Sequence, residues 1–216
     1  MTIRHFLVIA AAFAVAGSSD RAGAQSAKVA RDSVYAAKAR TDSARLPYVE
    51  ADVFFMQGMI SHHAQAIVMA KWAPTHDASP AVRTLCERII NAQTDEIVLM
   101  QQWLRDRHQR VPDAVPGPMP MKMNGMVMNM MMPGMLTDAQ MKELDAARGK
   151  DFDILFLRYM IQHHSGAVSM VKDLFATEGA GQDELVFKFA SDVNVDQTTE
   201  IARMNSMLAH IVLGSP

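Results

Sequence analysis

The chain has 216 residues, 50% hydrophobic and 20% charged, with a mean hydropathy of +0.01. That is enough apolar material for one buried core and excludes disorder throughout. A formal net charge of −2 supplies no surplus of Lys and Arg for a polyanion-binding surface, which argues against nucleic acid as a partner. The single cysteine excludes a disulfide framework and any Cys-based zinc or iron–sulfur site, and the 19 methionines are the one strong departure from ordinary composition.

Residues 1–24 read as an export signal: a basic start (Arg4, His5), the apolar run Phe6–Ala16, and the small-residue end Ala22-Gly23-Ala24. The run is 11 residues long, short of the roughly 18–20 that a permanent span needs. No cysteine adjoins the cleavage point to take a lipid. The expectation is therefore a periplasmic or secreted product without stable membrane insertion, carrying a net charge of −3 after the signal is removed. Residues 25–46 read as an N-terminal arm or helix.

A first helical hairpin spans residues 47–110. Its first helix shows apolar periodicity over Glu50–Trp72, and its second starts at the cap Ser79-Pro80 and runs to about His108 on the stripe Val82, Leu85, Ile89, Ile97, Met100 and Leu104. Cys86 lies in that stripe and reads as a buried, inert thiol. Residues 111–136, rich in Pro, Gly and Met, read as a connecting loop, and strand alternation of useful length is not expected anywhere in the chain. Residues 137–211 hold a short helix opened by Thr137 and Gln140 and stopped at Gly149, then a second hairpin with helices at about Asp151–Thr177 and Asp183–Ile211.

The hairpins repeat one another. Met59-Ile60-Ser61-His62-His63-Ala64-Gln65-Ala66 returns at an offset of 101 as Met160-Ile161-Gln162-His163-His164-Ser165-Gly166-Ala167, and Gln93, Glu96, Ile97, Met100 and Leu104 return at an offset of 104 as Gln197, Glu200, Ile201, Met204 and Leu208. Two hairpins with one apolar stripe each bury them against one another, which predicts an all-α four-helix bundle with the Met-rich connector between its halves, residues 47–211 forming one domain.

At about 100° per residue, Asp52, Met56, Met59 and His63 share one face, as do Asp153, Leu157, Met160 and His164. His62 lies three residues from Met59 and seven from Met69, and His163 stands in the same relation to Met160 and Met170. Gln93, Glu96 and Met100, like Gln197, Glu200 and Met204, form a polar-then-soft stripe placed to face the histidines or fix their tautomers. A histidine on an apolar helix is more often a hydrogen-bonded core residue, and a methionine at core spacing more often filler. Retention of the complete Met-x-x-His-His set in both halves, while Ser61 and Gln65 became Gln162 and Gly166, favours a metal site. The connector adds Met119, Met121, Met123, Met126, Met128, Met130, Met131, Met132 and Met135. Thioether sulfur is neutral and soft and prefers Cu(I) or Ag(I) to zinc, iron, magnesium or calcium. A greasy contact surface or an oxidant sink is the competing reading of this run.

The segment from Asp52 through His62-His63, its echo from Phe152 through His163-His164, and Met132-Pro133-Gly134-Met135-Leu136-Thr137 together resemble the exported family catalogued as domain of unknown function 305, over about residues 47–210. The resemblance implies a ferritin-like helical bundle, and it implies periplasmic copper binding through Met59, His62, His63, Met160, His163 and His164. Met56 has Leu157 as its counterpart, so a ligand role there is confined to one half. The expected function is non-catalytic sequestration or carriage of copper, Cu(I) favoured and Cu(II) accepted by imidazole, with metal ions and other copper-handling proteins as partners. The alternatives are a dinuclear metal oxidoreductase, whose Glu-x-x-His motif is missing because Leu99 and Arg203 follow Glu96 and Glu200, and a metal-free helical interaction module.

Overall fold

The structure, a computed structural model, describes residues 48–123 and 126–214; the export signal expected at 1–24 and the arm or helix expected at 25–46 lie outside the described residues. All described residues fall in one unit, Ser43–Pro216. In chain order they form α1 (Glu50–Lys71), α2 (Pro80–Asp106), strands β1 (Met119–Met123) and β2 (Met126–Met130), the short α3 (Asp138–Ala146), α4 (Gly149–Ala176) and α5 (Glu184–Leu213). Among the described residues no helix is long and apolar enough to cross a membrane.

The four long helices pair as α1 with α2 and α4 with α5, and α1 lies against α4. Their core divides into two apolar clusters. One gathers Phe55, Met56, Met59 and Ile60 from early α1, Ile97, Met100, Trp103 and Leu104 from late α2, Met170, Val171 and Leu174 from late α4, and Val186, Phe189 and Val193 from early α5. The other gathers the opposite halves: Ala66 and Met69, Val82, Leu85 and Ile89, Phe152, Phe156 and Met160, and Met204. Early halves meeting late halves is what antiparallel neighbours require, so the sequence repeat becomes an approximate two-fold relation. Cys86 is 2% exposed, and its burial, then Asp153 and Glu87, pushes the thiol up to about 12. It is inert.

Asp52 and Asp153, grouped by periodicity with the candidate ligands, are structural. Asp52 accepts hydrogen bonds from the Val49 amide at 2.8 Å and from the Gly181 amide at 2.7 Å in the loop before α5. Asp153 accepts from the Ser79 amide at 3.2 Å at the start of α2. Each hairpin thus anchors the turn of the other. The expected caps form: Ser79 accepts from Val82, and Thr137 and Gln140 exchange bonds at the start of α3. Gly149 opens α4, at φ +57°, rather than closing α3, which ends at Ala146.

The connector departs from the expected loop. β1 and β2 pair antiparallel with Met119 opposite Met130, Met121 opposite Met128 and Met123 opposite Met126. Methionine at every second position has the period of a strand, and Asn124-Gly125 is the dipeptide most favoured between two hairpin strands. Counting Pro, Gly and Met as loop composition hid that alternation.

Two of the paired positions at which the repeats differ, 61/162 and 65/166, hold the connector. Ser61 donates to the Gly117 carbonyl at 2.8 Å and accepts from its amide at 3.1 Å. Gln65 donates to the Leu136 carbonyl at 3.0 Å and accepts from the Leu136 amide at 2.7 Å. Gln162 donates to the Gly134 carbonyl at 3.2 Å. At Gly166 the connector backbone lies directly on the helix: a Cβ there would stand 2.0 Å from the Pro133 carbonyl oxygen. A repeated scaffold with one connector must break its symmetry at these sites. Ala for Gly in a helix ordinarily stabilises by about 1 kcal/mol, yet Gly166→Ala is expected to destabilise by about 1–3 kcal/mol, the cost of forcing packed backbone apart. Gly117→Ala, with nothing within 4 Å, serves as the control, and urea unfolding of both variants measures the difference.

Candidate metal centre

Between the two apolar clusters lies a layer of imidazoles. His62, His63, His163 and His164 are all 0% exposed. The His62 and His163 rings, one from each hairpin, stack with centroids 3.7 Å apart and planes tilted by 35°, and His63 and His164 flank them at 6.3 and 6.2 Å from their own neighbours.

Each outer ring is oriented by the second helix of its hairpin. His63 Nε2 lies 2.7 Å from Glu96 Oε2, and His164 Nε2 lies 2.7 Å from Glu200 Oε2. A carboxylate oxygen only accepts, so the ring nitrogen facing it carries the proton, and in the neutral ring the lone pair is left on Nδ1. Neither Nδ1 has a hydrogen-bond partner. His62 donates from Nε2 to the Pro133 carbonyl at 3.1 Å, which leaves its Nδ1 in the same state, and His163 has no partner at either nitrogen. Unsatisfied buried polar atoms cost about 1–3 kcal/mol each, and several on one layer mark a place built to be completed by a ligand. Imidazole with its far nitrogen tied to a carboxylate or carbonyl is the usual arrangement of a metal-binding histidine. Soft or borderline cations fit this donor set.

Burial, then the nearby His63 and His164, holds His62 well below the ordinary imidazole range, against the pull of the Pro133 carbonyl. Burial, then His62, His164 and His63, does the same to His163. Both rings are neutral at pH 7.

The sulfur atoms fall into three groups. Met56, Met59 and Met100 are fully buried in one apolar cluster beside Met170 at 6%, and Met69, Met160 and Met204 are fully buried in the other. Of the connector methionines, Met119, Met132 and Met135 are buried at 4%, 3% and 6%, while Met130 and Met131 are exposed at 38% and 42%. Met121, Met123, Met126 and Met128 are described through their backbone alone. Connector and bundle meet at Gly58, one turn before His62, where a Cβ would lie 2.7 Å from the Met132 sulfur and 3.5 Å from the Met170 methyl. Met130, Met131, Met132 and Met170 line a cavity of about 310 Å³ nearby, together with Phe54 and Phe55. Among the described residues no three His, Cys, Asp or Glu side chains form a ready ligand shell.

Periodicity brought the four histidines to one layer and pointed to Glu96 and Glu200. It missed the Pro133 carbonyl as the partner of His62 and the seating of the connector on Ser61, Gln65, Gln162 and Gly166. A partial signal was present: the repeat breaks at 61/162 and 65/166 beside the doublets, but it breaks equally at 64/165, where Ser165 bonds only the Ile161 carbonyl of its own helix.

The fold and site define a class: helical proteins built from two like hairpins, each bringing a buried histidine doublet and a Gln-x-x-Glu helix to a shared layer. The chain belongs to the family described as domain of unknown function DUF305, whose profile matches residues 52–208. Among solved structures, a DUF305 protein of Streptomyces coelicolor, designated as secreted, is similar at a TM-score of 0.63 and 30% identity, over 74% of this chain and 93% of that one. CopM in its Cu(I)-bound form is similar at a TM-score of 0.57 and 27% identity, over 77% of this chain and 99% of that one. CopM is also known in Cu(II)-bound and Ag-bound forms. A curated relative, the uncharacterized protein L153 of Acanthamoeba polyphaga mimivirus, is 38% identical over 56 residues, 26% of this chain, and the match spans 37% of that protein.

The depressed affinity of His62 and His163 for protons contributes to the pH dependence of the metal-free chain. When the folded pKa lies below the unfolded one, falling pH protonates the unfolded chain first, so the stability is full above the unfolded value of about 6.5 and declines below it. Two such rings give a slope of up to about 2.7 kcal/mol per pH unit. Urea unfolding at pH 7 and pH 5.5 tests this against a His62→Gln, His163→Gln double variant, whose loss over that interval is expected to be smaller.

Proposed function

We propose that this protein is a non-catalytic copper-binding protein that sequesters or carries Cu(I) in an exported compartment. The carrying observation is the buried imidazole layer whose Nδ1 atoms lack partners while the opposite nitrogens of His62, His63 and His164 are tied to a carbonyl or a carboxylate. Ligand roles are assigned to His62, His63, His163 and His164, with thioether donors from Met59 and Met160 one helical turn away on the same helices. Met130, Met131, Met132 and Met170, which share a cavity open to solvent, are assigned to capture. Neutral sulfur needs no deprotonation and survives in an oxidising compartment where a thiol would not.

Similarity to CopM, known in Cu(I)-, Cu(II)- and Ag-bound forms, supports the choice of metal. The helices are read as a ferritin-like bundle, but Glu96 and Glu200 engage His63 and His164 instead of forming a Glu-x-x-His pair, so they are assigned the orientation of imidazoles and no part in a dinuclear reaction. Export rests on the segment 1–24 and on the secreted designation of the Streptomyces relative.

Competition with a Cu(I)-specific chelator tests the proposal. Met132 and Met135 are core residues, so substitution is preferable to deletion of the connector: Leu conserves volume at methionine positions. The native chain is expected to withdraw Cu(I) from the chelator. His63→Gln with His164→Gln, and separately Met130→Leu, Met131→Leu and Met132→Leu together, are each expected to weaken binding at least about tenfold, about 1.4 kcal/mol. Native protein that binds no more Cu(I) than either of these variants would overturn the assignment.

A further inference from the structure

Three of the four buried rings have one nitrogen tied, but not by the same means. His63 and His164 are held by Glu96 and Glu200, each on the second helix of the same hairpin. His62 is held by the connector, through the Pro133 carbonyl at 3.1 Å. That carbonyl rests in turn on the other hairpin. A Cβ at Gly166 would stand 2.0 Å from the Pro133 carbonyl oxygen, 2.4 Å from its carbon and 2.6 Å from Gly134 Cα. The contact is reciprocal: Gly134 has φ at +77°, and a Cβ there would lie 2.7 Å from the Gln162 carbonyl oxygen and 2.7 Å from Gly166 Cα. Two glycines meet backbone on backbone, and the Gln162 side chain adds a hydrogen bond to the Gly134 carbonyl at 3.2 Å. The repeat counterpart of Gly166 is Gln65, which holds Leu136 through its side chain instead.

We propose that Gly166 and Gly134 are positioning residues for the imidazole layer: their close contact sets the Pro133 carbonyl on His62 Nε2 and so commits this ring to offering Nδ1 to a cation. The proposal deepens the copper reading and rests on it for what that nitrogen binds. One oxygen atom makes both contacts, so whatever clears a methyl group at position 166 also moves the acceptor of the His62 bond. All the crowded atoms belong to the backbone. No side-chain rotation relieves them, and the carbonyl has to recede by about 1 Å or more to reach ordinary contact. A hydrogen bond at 3.1 Å does not survive a displacement of that size. A neutral imidazole without a fixed acceptor carries its proton on either nitrogen, which is the condition of His163, with no partner at Nδ1 or Nε2. The native layer therefore combines three rings committed to Nδ1 with one free to use either nitrogen. The commitment of His62, unlike that of His63 and His164, depends on the second hairpin being docked on the connector.

Nitrogen-15 NMR of the metal-free full chain at pH 7 reads the ring tautomers. In the native protein His62 is expected in the Nε2–H form alone. In Gly166→Ala it is expected to become a mixture of Nε2–H and Nδ1–H, while His63 and His164, whose acceptors are carboxylates on α2 and α5, stay as they were. A loss of stability by itself moves none of the three. Gly117→Ala, which meets nothing within 4 Å, is the control and leaves His62 unchanged. Gln162→Met removes the bond to the Gly134 carbonyl from an exposed position without crowding the backbone, so it folds even where Gly166→Ala does not, and it is expected to shift His62 in the same direction by less. Added Ag(I) is then expected to bind the imidazole layer of Gly166→Ala at least tenfold more weakly than that of the native chain, read from the His62 Nδ1 signal. A native His62 with its proton on Nδ1, a single Nε2–H form kept in both variants, or equal Ag(I) affinity of native and Gly166→Ala would overturn the proposal. Ag(I) that shifts no ring nitrogen of the native chain counts instead against the copper reading, and the metal-free tautomers still decide the positioning claim.

Discussion

The hydrogen bonds from His63 to Glu96 and from His164 to Glu200 set the rest of the centre. Both lie at 2.7 Å and both involve a fully buried ring, so each orients an imidazole and settles which nitrogen faces the carboxylate with its proton. A bond of this kind, to an ionised acceptor, contributes about 1.5–3 kcal/mol, and it is made within a hairpin. The contact between hairpins is of another sort: two imidazoles stacked at 3.7 Å, neutral because the layer is dry. The bundle is thus closed at its middle by groups with unmet bonding capacity, flanked on either side by apolar clusters that supply the ordinary driving force for folding. A cation bound only by the folded chain adds its binding free energy to that arrangement.

The single connector explains why a duplicated unit does not stay symmetric. It crosses both halves and is held by Ser61 and Gln65 on one, Gln162 and Gly166 on the other. Its Pro133 carbonyl accepts the His62 Nε2–H bond that no carboxylate reaches, and one residue earlier Met132 places its sulfur on the bare backbone of Gly58. Backbone, thioether and imidazole are brought within one helical turn by a stretch of four residues, Met132-Pro133-Gly134-Met135. His163 receives no equivalent carbonyl, and both of its nitrogens remain open.

Much of this was legible in the sequence because helix periodicity and repetition are global signals. The offset repeat placed four long helices, paired them, and brought both doublets to a common level, and the caps at Ser79 and Thr137 were readable from local chemistry alone. Composition misled at the connector. Pro and Gly content outweighed the alternation of Met119, Met121 and Met123 with Met126, Met128 and Met130, although that alternation has the period of the paired strands. Asp52 and Asp153 shared a face with the ligands by angle, yet each spends its carboxylate on a distant turn, a tertiary contact that no spacing rule encodes. The Pro133 carbonyl was illegible for the same reason: backbone acceptors have no sequence mark.

The orientation of the imidazoles is the claim on which the metal assignment stands, and heteronuclear NMR of the ring nitrogens measures it directly. In the metal-free chain the account predicts the Nε2–H tautomer for His63 and His164, with Nδ1 resonances of an unprotonated nitrogen, and a selective shift of those Nδ1 signals when Ag(I) is added as a diamagnetic stand-in for Cu(I). Protons found on Nδ1 of both rings, or Nδ1 signals that stay in place when Ag(I) is added, would contradict it.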